Sequence, residues 1–152
     1  MLNKDYKDML SALEAEGVEF ILIGAYAMAA HGYPRATLDI DLWVLPSVEN
    51  AKKIVRALHR FGAPTDNINE NDFVQDDVVF QIGVAPRRID ILTSTTGLNY
   101  QDAAQRAATV VIDGVQVKIL SIPDLILNKE KTGRLKDKSD VEELKKLSPS
   151  SN

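Results

Sequence analysis

Residues 37–44 read Thr37-Leu38-Asp39-Ile40-Asp41-Leu42-Trp43-Val44. Side chains of a strand alternate between the two faces of its sheet. Leu38, Ile40, Leu42 and Val44 therefore share the face turned to the core, and Asp39 and Asp41 share the other. Two steps along a strand separate Cα atoms by about 6.5–7 Å. Carboxylates held that close repel, and one tends to take up a proton unless a cation intervenes. A divalent cation resolves the conflict, and magnesium favours carboxylates combined with substrate phosphate oxygens and waters. A solvated sheet face or a salt-bridged structural pair also carries Asp-x-Asp, so the tripeptide alone leaves these alternatives open.

A third acid has a similar setting. Asp90 lies between Ile89 and Ile91 in Arg88-Ile-Asp-Ile-Leu92. A charge inside an apolar strand costs several kcal/mol unless it is paired or coordinates a metal. Strand pairing can bring Asp90 beside Asp39 and Asp41, and three such carboxylates suit a two-metal site with the ions about 3.5–4 Å apart. Upstream, the apolar run Val18–Ile23 ends at Gly24 and the alanine-rich stretch Ala25–His31 follows at once. A strand that turns directly into a helix presents free backbone N–H groups and a positive dipole end, which is a ready anion site. An anion cradle one short helix before a carboxylate pair implies a metal–triphosphate ligand.

Helical spacing predicts helices over 4–16, 48–61, 100–107, 122–132 and 137–147, and apolar runs predict strands at 18–23, 37–44 and 88–93. Residues 63–72 read as loop, and 73–84 as a hairpin turning near Asp76-Asp77. Asp113-Gly114 between two apolar runs is a type I′ hairpin signal, because both turn residues need positive φ. The expected fold is α/β (α+β), a mixed sheet flanked by helices, in one domain over 1–147 with 148–152 as a tail. The 152 residues suit one core. Cysteine is absent and there are two histidines, which excludes thiolate chemistry, disulfides and a multi-histidine metal centre. A net charge of -4 argues against generic coating of nucleic acid. No apolar run reaches the ~18 residues of a membrane span and the first residues are polar, so a cytoplasmic protein is expected.

The succession of strand, Gly24-Ala25, helix, Arg35-Ala-Thr37-Leu-Asp39-Ile-Asp41 and the later Asp90 resembles the DNA polymerase β-type nucleotidyltransferase superfamily. It is most similar to the small single-domain bacterial members and to the core of AbiEii-type toxin proteins. A Lys-Asp-x-x-Asp stretch at Lys136-Asp137-Lys-Ser-Asp140 extends the likeness. The resemblance implies that Gly24 and Ala25 bind nucleotide phosphates, and that Asp39, Asp41 and Asp90 hold magnesium, with manganese as a substitute. Asp90 would also help to activate the acceptor hydroxyl. The implied reaction is in-line attack on the α-phosphate of a nucleoside triphosphate with release of pyrophosphate. The acceptor would be a hydroxyl of a protein, an RNA or a small molecule. Ala25 departs from the usual Gly or Ser, keeping the backbone N–H but losing a hydroxyl. That departure motivates the alternative of a catalytically weak nucleotide-binding module, or a toxin–antitoxin partner of the same fold.

Other residues sit at the margin. Arg35 can pair with phosphate and Thr37 can hydrogen-bond near the site. Lys129 and Lys136 are phosphate or acceptor candidates by the same resemblance, whereas Asp137 and Asp140 read as capping or ion-pair residues. Trp43 shares strand parity with the acids, but sheet packing explains it more simply. His31 and His59 read as a helix-end and a surface residue.

Overall fold

The computed structural model describes residues 2–33, 39–64, 66–84, 87–133 and 135–147. Helices α1 (Lys4–Ala15), α2 (Gly24–Ala30), α3 (Val48–Phe61), α4 (Tyr100–Arg106), α5 (Ile122–Thr132) and α6 (Leu135–Leu147) flank one mixed sheet. Its strands are β1 (Phe20–Ile23), β2 (Ile40–Val44), β3 (Val79–Ile82), β4 (Ile89–Leu92), β5 (Ala108–Ile112) and β6 (Val115–Ile119). They lie in the order β3-β4-β2-β1-β6-β5. The pairs β1–β6 and β2–β4 are parallel and the remaining three are antiparallel. The two central strands are the most deeply buried, as their continuous apolar sequences require.

The helix ends follow their sequence signals. Asn3, Ser47, Asn99 and Ser121 each accept a backbone N–H of the first turn through their side chains. Gly62 and Gly133 close α3 and α5 in the left-handed conformation. The Asp113-Gly114 turn has positive φ at both residues, 49° and 83°, the type I′ requirement.

Asn50 ties α3 to the middle of the sheet. It is 2% exposed. Its side chain accepts from the Glu19 backbone N–H at 2.8 Å and donates to the carbonyls of Glu19 and Leu45 at 3.0 and 2.9 Å. One amide thus satisfies three backbone groups where β1 begins and β2 ends. At the other end of the chain, a buried ion pair between Lys129 and Asp140, 3.0 Å apart, joins α5 to α6.

One expected element differs. Residues 73–84 do not form a hairpin about Asp76-Asp77. Glu70–Phe73 is a short 3-10 turn closed by a reciprocal Asn69–Asp72 cap, and its Phe73 is fully buried against Phe80. The apolar Phe73 thus anchors a turn instead of a strand, and the hairpin partner of β3 is β4. Asp77 does take a turn conformation, with φ 61°, but only β3 follows it. No helix among the described residues is long and apolar enough to cross a membrane.

Asn50→Ala leaves the three backbone groups without their partner. The expected cost is about 3 kcal/mol, a fall in Tm of roughly 10 °C, measured by thermal unfolding.

Candidate active site

The sheet register builds the site. Ile23 faces Asp41 across β1–β2, Asp41 faces Asp90 across β2–β4, and Asp90 faces Gln81 across β4–β3. These four residues form a single row across four strands, and neighbours in such a row project from the same face about 4.8 Å apart. Asp41 and Asp90 are two carboxylates in directly paired positions. Burial, above all, pushes the Asp41 carboxyl up to about 6, with Asp90 and then the Asp39 charge acting in the same direction. Asp39 stands just before β2, and its side chain is half-buried.

Arg88, the residue before β4, neutralises much of this charge. Its Nε lies 2.8 Å from Oδ1 of Asp90, and its Nη2 lies 3.2 Å from Oδ2 of Asp90 and 3.1 Å from Oδ2 of Asp39. This is a two-pronged grip on one carboxylate with a reach to a second. The Arg88 backbone is fixed from both sides: its carbonyl accepts from Tyr6 Oη and from the Ile40 N–H, each at 3.1 Å. Tyr6 is itself wedged beneath the site, edge-on to Tyr26 at 5.5 Å. Burial and the nearby negative charges push the Tyr6 hydroxyl up to about 12.

The turn into α2 closes against the same carboxylates. Gly24 has φ +70°, and a Cβ added there would lie 2.6 Å from Oδ2 of Asp41. Glycine is therefore required twice, by its backbone conformation and by the close approach. Ile23 before it offers no side-chain cap to the first turn of α2. Ala25 follows within that first turn.

The structure thus gathers Asp39, Asp41, Asp90 and Gly24 at one place. Arg35 and Thr37 lie outside the described residues. Lys129 has its ammonium on Asp140, which is an ion-pair residue as its sequence setting suggests. Trp43 is a packing residue: it is buried, meets Tyr100 edge-on at 5.1 Å, and donates through Nε1 to the Thr93 carbonyl at 3.4 Å. His31 caps α2 with Nε2 2.7 Å from the Leu120 carbonyl, and His59 is exposed. Arg88 is the residue that motif reasoning missed. The signal was present, since Arg88 and Asp90 stand two apart on a strand and so share a face.

Among the described residues, no three acidic or histidine side chains stand as a ready-made metal cage. The donors are nonetheless of the kind that hard divalent cations take, and they already converge on a positive group, the guanidinium of Arg88. A cavity of about 790 Å³ lies elsewhere, over α3, lined by Val48, Val55, Asp66, Ile68 and Glu70 among others. It includes none of Asp39, Asp41 and Asp90, so the chemistry points to the carboxylate row and not to this hollow.

Asp41 keeps its proton to about pH 6 in the fold, against 3.8 in the unfolded chain. Below pH 3.8 both states are protonated and the group has no effect. As pH rises towards 6 the unfolded chain ionises first, and the fold loses on the order of 3 kcal/mol. That loss is complete at pH 7. Asp41→Asn removes it, so the variant is expected to melt higher than wild type at pH 7 in EDTA and level with it near pH 3.5. Thermal melts at the two pH values check this, and a large fall at pH 7 would show Asp41 to be structural.

Comparison with known proteins bears on the fold and the family. The fold resembles a crystal structure from Thermotoga maritima, of a protein described as a presumed nucleotidyltransferase, with a TM-score of 0.63 over 94% of each chain at 17% identity. It also resembles an antigenic nucleotidyltransferase-like protein from Paracoccidioides brasiliensis, with a TM-score of 0.55 at 16% identity, over 95% of this chain and 76% of that one. No curated protein matches the sequence. The family model described as nucleotidyl transferase of unknown function, DUF2204, matches residues 2–152, and the chain belongs to that family.

Proposed function

We propose that the protein transfers a nucleoside monophosphate from a nucleoside triphosphate to a hydroxyl of a protein, RNA or small-molecule acceptor, with a divalent cation. The register that sets Asp41 beside Asp90, with Asp39 bridged to Asp90 through Arg88, carries this reading. Nothing in folding alone calls for three carboxylates at one spot, and their mutual repulsion opposes it. Magnesium, or manganese in its place, held by Asp39, Asp41 and Asp90, would supply charge neutralisation for the triphosphate and lower the cost of the α-phosphoryl transition state.

The chain's own residues divide the remaining work. The backbone N–H groups of Gly24 and Ala25 bind phosphate oxygens, close to Asp41, which a Cβ on Gly24 would meet. Arg35 and Thr37, just upstream of Asp39, add a phosphate partner and a hydrogen bond. Lys129 contributes less directly, since its ion pair with Asp140 holds α5 to α6. Asp90 takes the proton of the acceptor hydroxyl as its oxygen bonds to the α-phosphorus. The bond from that phosphorus to the bridging oxygen breaks, and pyrophosphate leaves with the electron pair. Positioning and charge neutralisation account for most of such a rate gain.

Ala25 favours a second reading, a module of the same fold that binds nucleotide with little turnover, as a toxin–antitoxin partner or otherwise. The two separate in one experiment. Pure protein is incubated with magnesium and nucleoside triphosphates labelled at the α-phosphate, with and without cell lysate. Transfer of label to an acceptor is expected, falling by about a hundredfold or more in Asp39→Asn and in Asp90→Asn. Nucleotide binding with no transfer in any lysate would establish the module instead.

A further inference from the structure

We propose that Arg88 is the resident counter-ion of the carboxylate site, holding the seat of the divalent cation until a metal–triphosphate arrives, and then releasing Asp39 and Asp90 to grip the phosphates. The inference rests on the function proposed above and assigns one residue a part in binding its substrate. Three observations support it. The guanidinium lies 2.8–3.2 Å from oxygens of Asp39 and Asp90, two of the three carboxylates available to a metal. Hard divalent cations need those oxygens at about 2.0–2.6 Å, and a guanidinium forked on the same carboxylates both repels such a cation and holds lone pairs that it would use. An arginine does not lose its proton in proteins, so it vacates the seat only by moving.

The structure provides for that movement. The Arg88 backbone is pinned by Tyr6 and Ile40, while its side chain is one-third exposed. The main chain therefore stays while the side chain turns about its own torsions. A planar guanidinium fork fits phosphate as well as carboxylate, so a triphosphate entering beside Gly24 offers it an equivalent partner. Metal without nucleotide brings no phosphate for the guanidinium to take in exchange and must strip Arg88 of its partners. Metal and nucleotide therefore bind with positive coupling, each easing the entry of the other.

Binding measurements test this directly. Manganese alone is titrated into wild type, Arg88→Gln and Arg88→Lys, with free ion read by electron paramagnetic resonance. Binding of manganese with an ATP analogue carrying a non-transferable α–β bridge is read by calorimetry. Arg88→Gln is expected to bind manganese alone about tenfold more tightly and the manganese–analogue pair about tenfold more weakly. Arg88→Lys keeps the charge and loses the fork, so it should fall between in both titrations, and it decides the matter if Arg88→Gln does not fold. A purely structural arginine would weaken both kinds of binding when replaced. Unchanged or weakened manganese binding in both variants overturns the inference, and if label transfer persists, the transferase reading survives it. No manganese binding by any of the three proteins, with or without the analogue, overturns both.

Discussion

Parallel pairing of β2 with β4 sets Asp41 against Asp90, and the sheet must hold two carboxylates together that would otherwise separate. The force that holds them is apolar burial on the opposite face. Ile40 pairs with Ile89 and Leu42 with Ile91, and all four side chains are at most 2% exposed. At about 1.5–3 kcal/mol for each fully buried aliphatic side chain, these four contribute roughly 6–12 kcal/mol. The charge penalty at Asp41 is on the order of 3 kcal/mol. Burial wins, and a slip of one residue would turn the acids inward and the isoleucines out, so the register has no nearby alternative.

The same row reaches back into the turn before α2. Ile23 pairs with Asp41, so the residue after Ile23 emerges beside that carboxylate. The space left there has no room for a Cβ, so the residue at position 41 adds to the positive φ in requiring glycine at position 24. Position 25 is under no such constraint in the fold, and it carries alanine. The backbone N–H survives that choice and a side-chain hydroxyl does not, so under the proposed function the departure from the superfamily pattern falls at the phosphates and leaves the acids intact.

Much of this was legible in the sequence because it depends on local rules. Alternation of Leu, Asp, Ile, Asp, Leu fixed the faces of β2, Asp113-Gly114 fixed a hairpin, and Pro123 with Gly133 bounded α5. Asp90 could be named a partner of Asp41 from its apolar neighbours, though only the register shows the two side by side. The segment 73–84 misled because Phe73 and Val74 look like the start of a strand. The capped turn at Asn69–Asp72 takes Phe73 into the core instead, and that depends on a tertiary contact with Phe80 that no local pattern contains. Arg88 was missed for a different reason. Its parity with Asp90 is local, but its reach to Asp39 comes from another strand and exists only once β2 and β4 are paired.

A carboxylate cluster inside a fold can be balanced in three ways, and the three differ in what they leave available. A proton cancels one charge and removes that oxygen as a ligand, as happens at Asp41 below about pH 6. A divalent ion cancels two and concentrates charge at a point, which suits a triphosphate. A guanidinium cancels one without consuming a lone pair permanently, and it stays tethered when displaced. Arg88 is tethered two residues from Asp90, so its effective concentration at the cluster is high and its return after release is fast. With that tether Asp39 and Asp90 keep a counter-charge at hand, and the row β1–β2–β4 can hold the charges that the proposed chemistry requires.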